Sequence, residues 1–174
     1  MSSPFPHAVP AHLGWRLLAL VYDLFPALAM LLLFGALATA LATGLGHADL
    51  SDLPWAGPLL ALGAWAFVGA YFVLSWQRGG QTLGMRPWRL RVVAADGRPA
   101  TARALALRYA AATLPALLLL EAAGLLPWAD RLLPFWIAGA AAAAGLLWSL
   151  LDGERAALHD RLSGTRLVRL VSAA

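Results

Sequence analysis

Asp23 interrupts an otherwise apolar run, 17–41, seven positions after Arg16. About twenty apolar residues are enough to cross a bilayer. An ionisable group inside such a span is costly, faces protein or a water-filled cavity, and marks a functional candidate. Seven residues make nearly two helical turns, so Arg16 and Asp23 share one face with Ala19 between them. That face carries a cation at its mouth and an anion about 10 Å deeper. Ion pairing, or the binding of a proton, cation or polar solute, is the chemistry open to it.

Two further charges belong with this pair. Arg108 falls about five residues into a later apolar run, 104–126, that starts from the same side of the membrane, so its depth differs from that of Asp23 by only a few Å. An Asp23–Arg108 pair inside the bundle would lower the cost of both charges. Arg16 and Asp160 both lie nearer the interface and form the second expected pair, with Asp152, Glu154 and Arg155 close enough to compete. Two readings stand side by side. In one, the pairs lock the helix packing. In the other, Asp23 binds a proton, cation or solute and Arg108 tunes it. Pro26 frees the carbonyl of Tyr22 beside Asp23. Such carbonyls coordinate ions in transporters, although proline is also simply common in membrane helices.

The composition says what must position these groups. Of 174 residues, 61% are hydrophobic and 13% charged. A soluble domain would be nearer half apolar and about a quarter charged. The chain has no cysteine, which excludes disulfides and thiolate metal sites, and every one of its 13 basic side chains is arginine. A pI near 10.6 would suit nucleic acid, but loop arginines facing anionic lipid explain it better, and no nucleic-acid partner is expected.

Four spans follow, roughly 15–41, 55–76, 104–126 and 133–151, the third carrying Arg108 and Glu121. Trp15, Trp55, Trp76, Trp128 and Trp136 sit near their ends, where amphipathic rings settle. The first connection has Asp49 and Asp52 and no arginine, and the third has Arg131 beside Asp130. The second has Arg78, Arg86, Arg89, Arg91, Arg98 and Arg103, and the final segment has Arg155, Arg161, Arg166 and Arg169. Excess arginine marks the cytoplasmic side, so both termini are expected there. The first span is too long for a signal-peptide core and contains Asp23, which argues against cleavage after 38–42. Residues 1–12 hold three prolines and read as a mobile tail, leaving 13–171 as a single membrane domain.

The arginine-rich connection has order of its own. Gly80, Thr82 and Gly84 lie in a segment, 79–84, that breaks the second helix and reads as a helix-to-strand connection rather than a phosphate cradle. Residues 88–92 alternate apolar and charged like a strand, Asp96-Gly97 is a turn, and 165–171 offers a second short strand. Neither strand is stable alone, so the two are predicted to pair into a small cytoplasmic sheet. His159-Asp160 is a weak hydrolase-like dyad with no second histidine cluster, and no metal is expected there. Asp160 is instead expected to cap the turn before Thr165 and to receive an arginine. Nucleophile elbows, phosphate loops and dinucleotide fingerprints are missing, so neither an enzyme nor a cofactor is expected. Small residues four apart in the fourth span, such as Ala141 and Gly145, suit an internal seam or a subunit contact.

Taken together these residues resemble the RDD family of bacterial membrane proteins. The family's helix-opening arginine and following aspartate match Arg16 and Asp23, and its later aspartate matches Asp160. Its Gly-Gln-Thr-Leu-Gly segment matches 80–84, its strand and Asp-Gly turn match 90–97, and its helix arginine matches Arg108. The resemblance runs from about 14 to 171. Met85 stands where the family usually has lysine, which weakens any phosphate-like contact there. The resemblance implies a polytopic protein of the bacterial inner membrane and suggests transport of an unidentified ligand. The expected fold is an all-α four-helix transmembrane bundle with a small cytoplasmic β element. The expected function is ion or small-solute transport by a homo-oligomer centred on Asp23, since four helices leave little room for a solute path. The alternative is a non-transporting accessory or scaffold subunit whose charged residues are structural.

Overall fold

The computed structural model describes residues 8–46, 56–124 and 132–171. His47, Asp49, Asp52, Trp55, Trp128, Asp130 and Arg131 lie outside the described residues, as does the side chain of Glu121.

The chain runs β1 (Ala8–Pro10), α1 (Leu13–Gly44), α2 (Ala56–Gly79), β2 (Leu90–Ala94), α3 (Ala102–Gly124), α4 (Leu133–Leu151), α5 (Leu158–Ser163) and β3 (Thr165–Leu170). Helices α1 and α3 each pack on both α2 and α4, which closes a four-membered ring. In α1, α2 and the Ala102–Leu119 part of α3 the helix is long and apolar enough to cross a membrane, whereas the apolar part of α4, Phe135–Leu151, is shorter. Pro26 and Pro115 sit inside continuous helices.

The outer faces explain the composition. Leu24, Phe25, Leu28, Leu32 and Leu41 of α1 are each more than half exposed. A patch of that size on a soluble surface would be a liability; on a membrane helix it is the lipid face. The 32 residues of α1 span about 48 Å, against roughly 30 Å of hydrocarbon. At its first turns the helix is covered instead by loop residues and by α5. Close helix approach relies on small residues: a Cβ on Gly69 would lie 2.6 Å from the Tyr109 ring, and one on Gly63 2.9 Å from Phe34. By contrast, a Cβ on Gly139 or Gly145 would meet nothing within 4 Å. Among the described residues, then, no neighbour approaches closely enough to require glycine at 139 or 145.

The sheet has the order β1-β3-β2, with β3 antiparallel to both neighbours. The expected pairing of the two strands is present, Leu90 opposite Arg169 through Ala94 opposite Thr165. Its first strand starts at Leu90 rather than Trp88, because Arg89 takes φ 53°, outside the extended region. The third strand, Ala8–Pro10, corrects the expectation of a mobile tail over 1–12. Ala8 pairs with Leu170 and Pro10 with Val168, and the Ala11 amide donates to the Leu167 carbonyl at 3.0 Å. Pro10 is tolerated because β1 is an edge strand, where a missing donor costs little. A buried core joins this sheet to the helices: Leu90, Val92 and Leu167 pack with Ala11, Ala19, Trp76, Met85, Leu105 and Tyr109. Met85 is buried there.

Candidate functional site

Helix α1 buries one stripe at its first turns, Arg16, Ala19 and Asp23, on the face the spacing predicts. The two charges on that stripe serve separate clusters.

Asp160 is the centre of the first. It is fully buried on α5. Its Oδ2 lies 2.7 Å from Arg16 Nη1, and its Oδ1 receives Arg108 Nη1. Oδ2 also accepts the Ala157 amide at 2.9 Å, so Asp160 satisfies a free donor at the start of α5, as an acid at the third helical position does. The expected Arg16–Asp160 pair is thus present, and the expected cap has been joined by two arginines. Asp152, Glu154 and Arg155 do not compete: Asp152 and Glu154 pair with Arg161 on the surface.

Two guanidiniums against one carboxylate leave an excess of buried positive charge. Neutral oxygens absorb it. Arg16 Nε donates to the Ala11 carbonyl at 3.2 Å and its Nη2 to the Arg155 carbonyl at 2.9 Å. Arg155 takes φ 55°, and the local turn presents that carbonyl. Arg108 Nη1 donates to Thr165 Oγ1 at 2.9 Å, and its guanidinium carbon lies 5.4 Å from the Trp76 ring centre. Thr165 and Ser163 hydroxyls are 2.8 Å apart, and Ser163 Oγ donates to the His159 carbonyl at 2.6 Å. One node therefore ties together α1, α3, α5, β3 and the segment after β1. Burial pushes the Asp160 carboxyl upward, but Arg108 and Arg16 outweigh it and hold the group below the ordinary carboxylate range. His159, 3.6 Å away, is lowered to about 3 by burial and by Arg108, with Asp160 opposing. The imidazole is therefore neutral. Among the described residues no group of three or more His, Asp or Glu could hold a metal.

Asp23 forms the second cluster, and here the sequence reading needs correction. The Asp23–Arg108 pair does not form. Arg108 is spent on Asp160 and Thr165, while Asp23 receives the Thr82 hydroxyl at 2.5 Å on Oδ2 and the Gly84 amide at 2.8 Å on Oδ1. Asp23 is buried, yet among the described residues no guanidinium reaches it. The loop after α2 supplies its donors instead. Thr82 is fully buried, and Gly84 lies so close to α1 that a Cβ there would come 2.4 Å from the Ala19 carbonyl and 2.7 Å from Asp23 Cγ. Gly80 belongs to neither cluster. With φ 69° it turns the chain from α2 toward β2, donating to the Trp76 carbonyl and accepting from Val92.

Of the side chains in these two nodes, the sequence singled out Arg16, Asp23, Thr82, Arg108, Asp160 and Thr165, and gave no place there to Trp76, His159 or Ser163. It missed the carbonyls of Ala11 and Arg155 and the amides of Ala157 and Gly84, because backbone groups have no sequence signature until the turn geometry is known.

An apolar helical ring closed at one end by a three-stranded sheet, with the sheet end locked by buried arginine–aspartate contacts, defines an integral membrane protein. The RDD family profile matches residues 10–164. The chain belongs to that family. The same comparisons match no curated protein and no solved structure.

Proposed function

We propose that this RDD-family chain is a non-transporting accessory or scaffold unit of a bacterial inner membrane. In this reading both termini are cytoplasmic, because β1, the α2–α3 connection and the final segment share one sheet, and the segments 78–103 and 155–169 that supply its β2 and β3 strands hold most of the arginine. The observation that carries the proposal is the saturation of Asp160. Both its oxygens are committed to Arg16, Arg108 and Ala157. A group that takes up and releases a solute needs an open position, whereas a group that holds a surface in shape does not. What the lock presents is an exposed basic surface that includes Arg89, Arg98 and Arg166. Purification under mild crosslinking is expected to recover a stoichiometric partner that is lost when Arg89 and Arg166 become glutamine. A protein that recovers none, and that moves a solute in vesicles, would overturn the reading.

One observation favours a second reading, transport by a homo-oligomer. Among the described residues, Asp23 is a buried carboxylate supplied only with a hydroxyl and an amide. Such a group is neutralised by a proton or a small cation. Under this reading Asp23→Asn abolishes pH-dependent flux in reconstituted vesicles while leaving the folded protein in place. No catalytic role is assigned in either reading.

A further inference from the structure

A cavity of about 440 Å³ lies between α1, α2 and the 80–89 loop. Its walls change character along the membrane normal. Phe67, Tyr71, Leu74 and Arg78 line it from one face of α2, at the spacing that stacks side chains along a helix. Met30 of α1 closes the apolar end, and Arg86 of the 80–89 loop joins Arg78 at the other. From Phe67 to Arg78 is eleven residues, about 16 Å of helix. That is a hydrocarbon-depth floor with a doubly cationic mouth. The Leu83 amide donates to Tyr71 Oη at 3.3 Å, which holds the loop bearing Arg86 against the cavity.

The mouth is not neutralised from within. No carboxylate lines the cavity, and among the described residues neither Arg78 nor Arg86 has an ion pair. Asp23 is not in its lining: that carboxylate is spent on Thr82 and Gly84, which flank the lining residue Leu83. Basic pockets between membrane helices at headgroup level bind anionic lipid headgroups.

We propose that this cavity binds one anionic phospholipid from the leaflet at the arginine-rich end. Its phosphate sits between Arg78 and Arg86, and the first part of an acyl chain lies along Leu74, Phe67 and Met30. Charge complementarity selects the anion. The apolar floor selects a lipid over a soluble phosphate, since a free ion would leave that floor unfilled.

The test uses the full chain in detergent, delipidated and then titrated with dioleoyl phosphatidylglycerol or dioleoyl phosphatidylcholine, with retained lipid read by native mass spectrometry. Phosphatidylglycerol is expected to bind and phosphatidylcholine to bind far more weakly. The double variant Arg78→Gln with Arg86→Gln is expected to lose roughly 30-fold in phosphatidylglycerol affinity. Ala70→Trp, which fills the cavity without changing charge, is expected to lose binding as well. Arg98→Gln, whose partner Asp96 is on the surface, serves as the control and keeps full binding. Equal retention of the two lipids, or unchanged phosphatidylglycerol binding in either the double variant or Ala70→Trp, would overturn the proposal. Displacement of the lipid by millimolar inorganic phosphate would overturn it too, by assigning the mouth to a soluble anion. If the double variant does not fold, the lipid comparison on the unaltered chain and Ala70→Trp decide.

Discussion

Arg16, in the first turns of α1, holds a guanidinium nitrogen 2.7 Å from Asp160 on α5, near the opposite end of the chain. Arg108 completes the node from α3. Asp160→Asn would leave two buried guanidiniums with no anion, and breaking a buried pair in this way costs about 3–5 kcal/mol. Arg16→Gln is expected to cost less, because Arg108 and Asp160 remain a balanced pair. Unfolding by denaturing detergent, with the helical circular dichroism followed, should rank Asp160→Asn well below Arg16→Gln. The reverse order would show that Arg16, not Asp160, carries the node.

His159 gives the pH dependence. Its folded value is lowered to about 3 from an unfolded 6.5. Between those values the unfolded chain takes up a proton that the folded chain refuses, so stability falls as pH drops through that window. The slope approaches about 1.4 kcal/mol per pH unit. Asp160 also has a lowered folded value, so the stability it contributes is complete above the ordinary carboxylate range and is lost only at more acid pH. Unfolding measured from pH 8 to pH 4.5 should weaken below about pH 6.5, and His159→Gln should flatten that decline.

The membrane helices were legible because apolar runs interrupted by arginine-rich segments have no other stable home. The sheet was partly legible: 88–92 alternates as a strand does, and 165–171 is rich in Leu and Val. Residues 8–10 carry no such signal, since the stretch is too short for any period and ends on Pro10. Depth along the helices led to the wrong partner for Asp23. Matching depths place Asp23 and Arg108 at one level, but the 80–89 loop tucks between, with Gly84 against Ala19, and supplies donors of its own. A loop folded back into the bundle cannot be seen in hydropathy. Arg108 was then left to the one carboxylate that the sheet and α5 bring to it.

Gly84 should be the least replaceable glycine. A Cβ there meets backbone, the Ala19 carbonyl at 2.4 Å and the Asp23 amide nitrogen at 2.7 Å, and neither can move without α1. Gly84→Ala is expected to cost about 1–3 kcal/mol from overpacking, or more, and to release the loop, read as faster protease cleavage within 80–89. Gly145→Ala is the matched control, since nothing lies within 4 Å of its added methyl. It should be neutral or slightly stabilising, as alanine is the better helix former.

Double-mutant cycles can decide who holds Asp23. The Thr82 hydroxyl lies 2.5 Å from its carboxylate, and a hydrogen bond to a charged group is worth about 1.5–3 kcal/mol. Asp23→Ala with Thr82→Val should therefore show a coupling of that order. Asp23→Ala with Arg108→Gln should be additive to within about 0.5 kcal/mol, because the two share no partner. For the same reason the charge swap, Asp23→Arg with Arg108→Asp, should not rescue either single change: the new aspartate would face Asp160, and the new arginine would face Thr82 and the Gly84 amide. Partial rescue, with a coupling above about 1 kcal/mol between 23 and 108, would restore the direct pair and remove the loop as the keeper of this carboxylate.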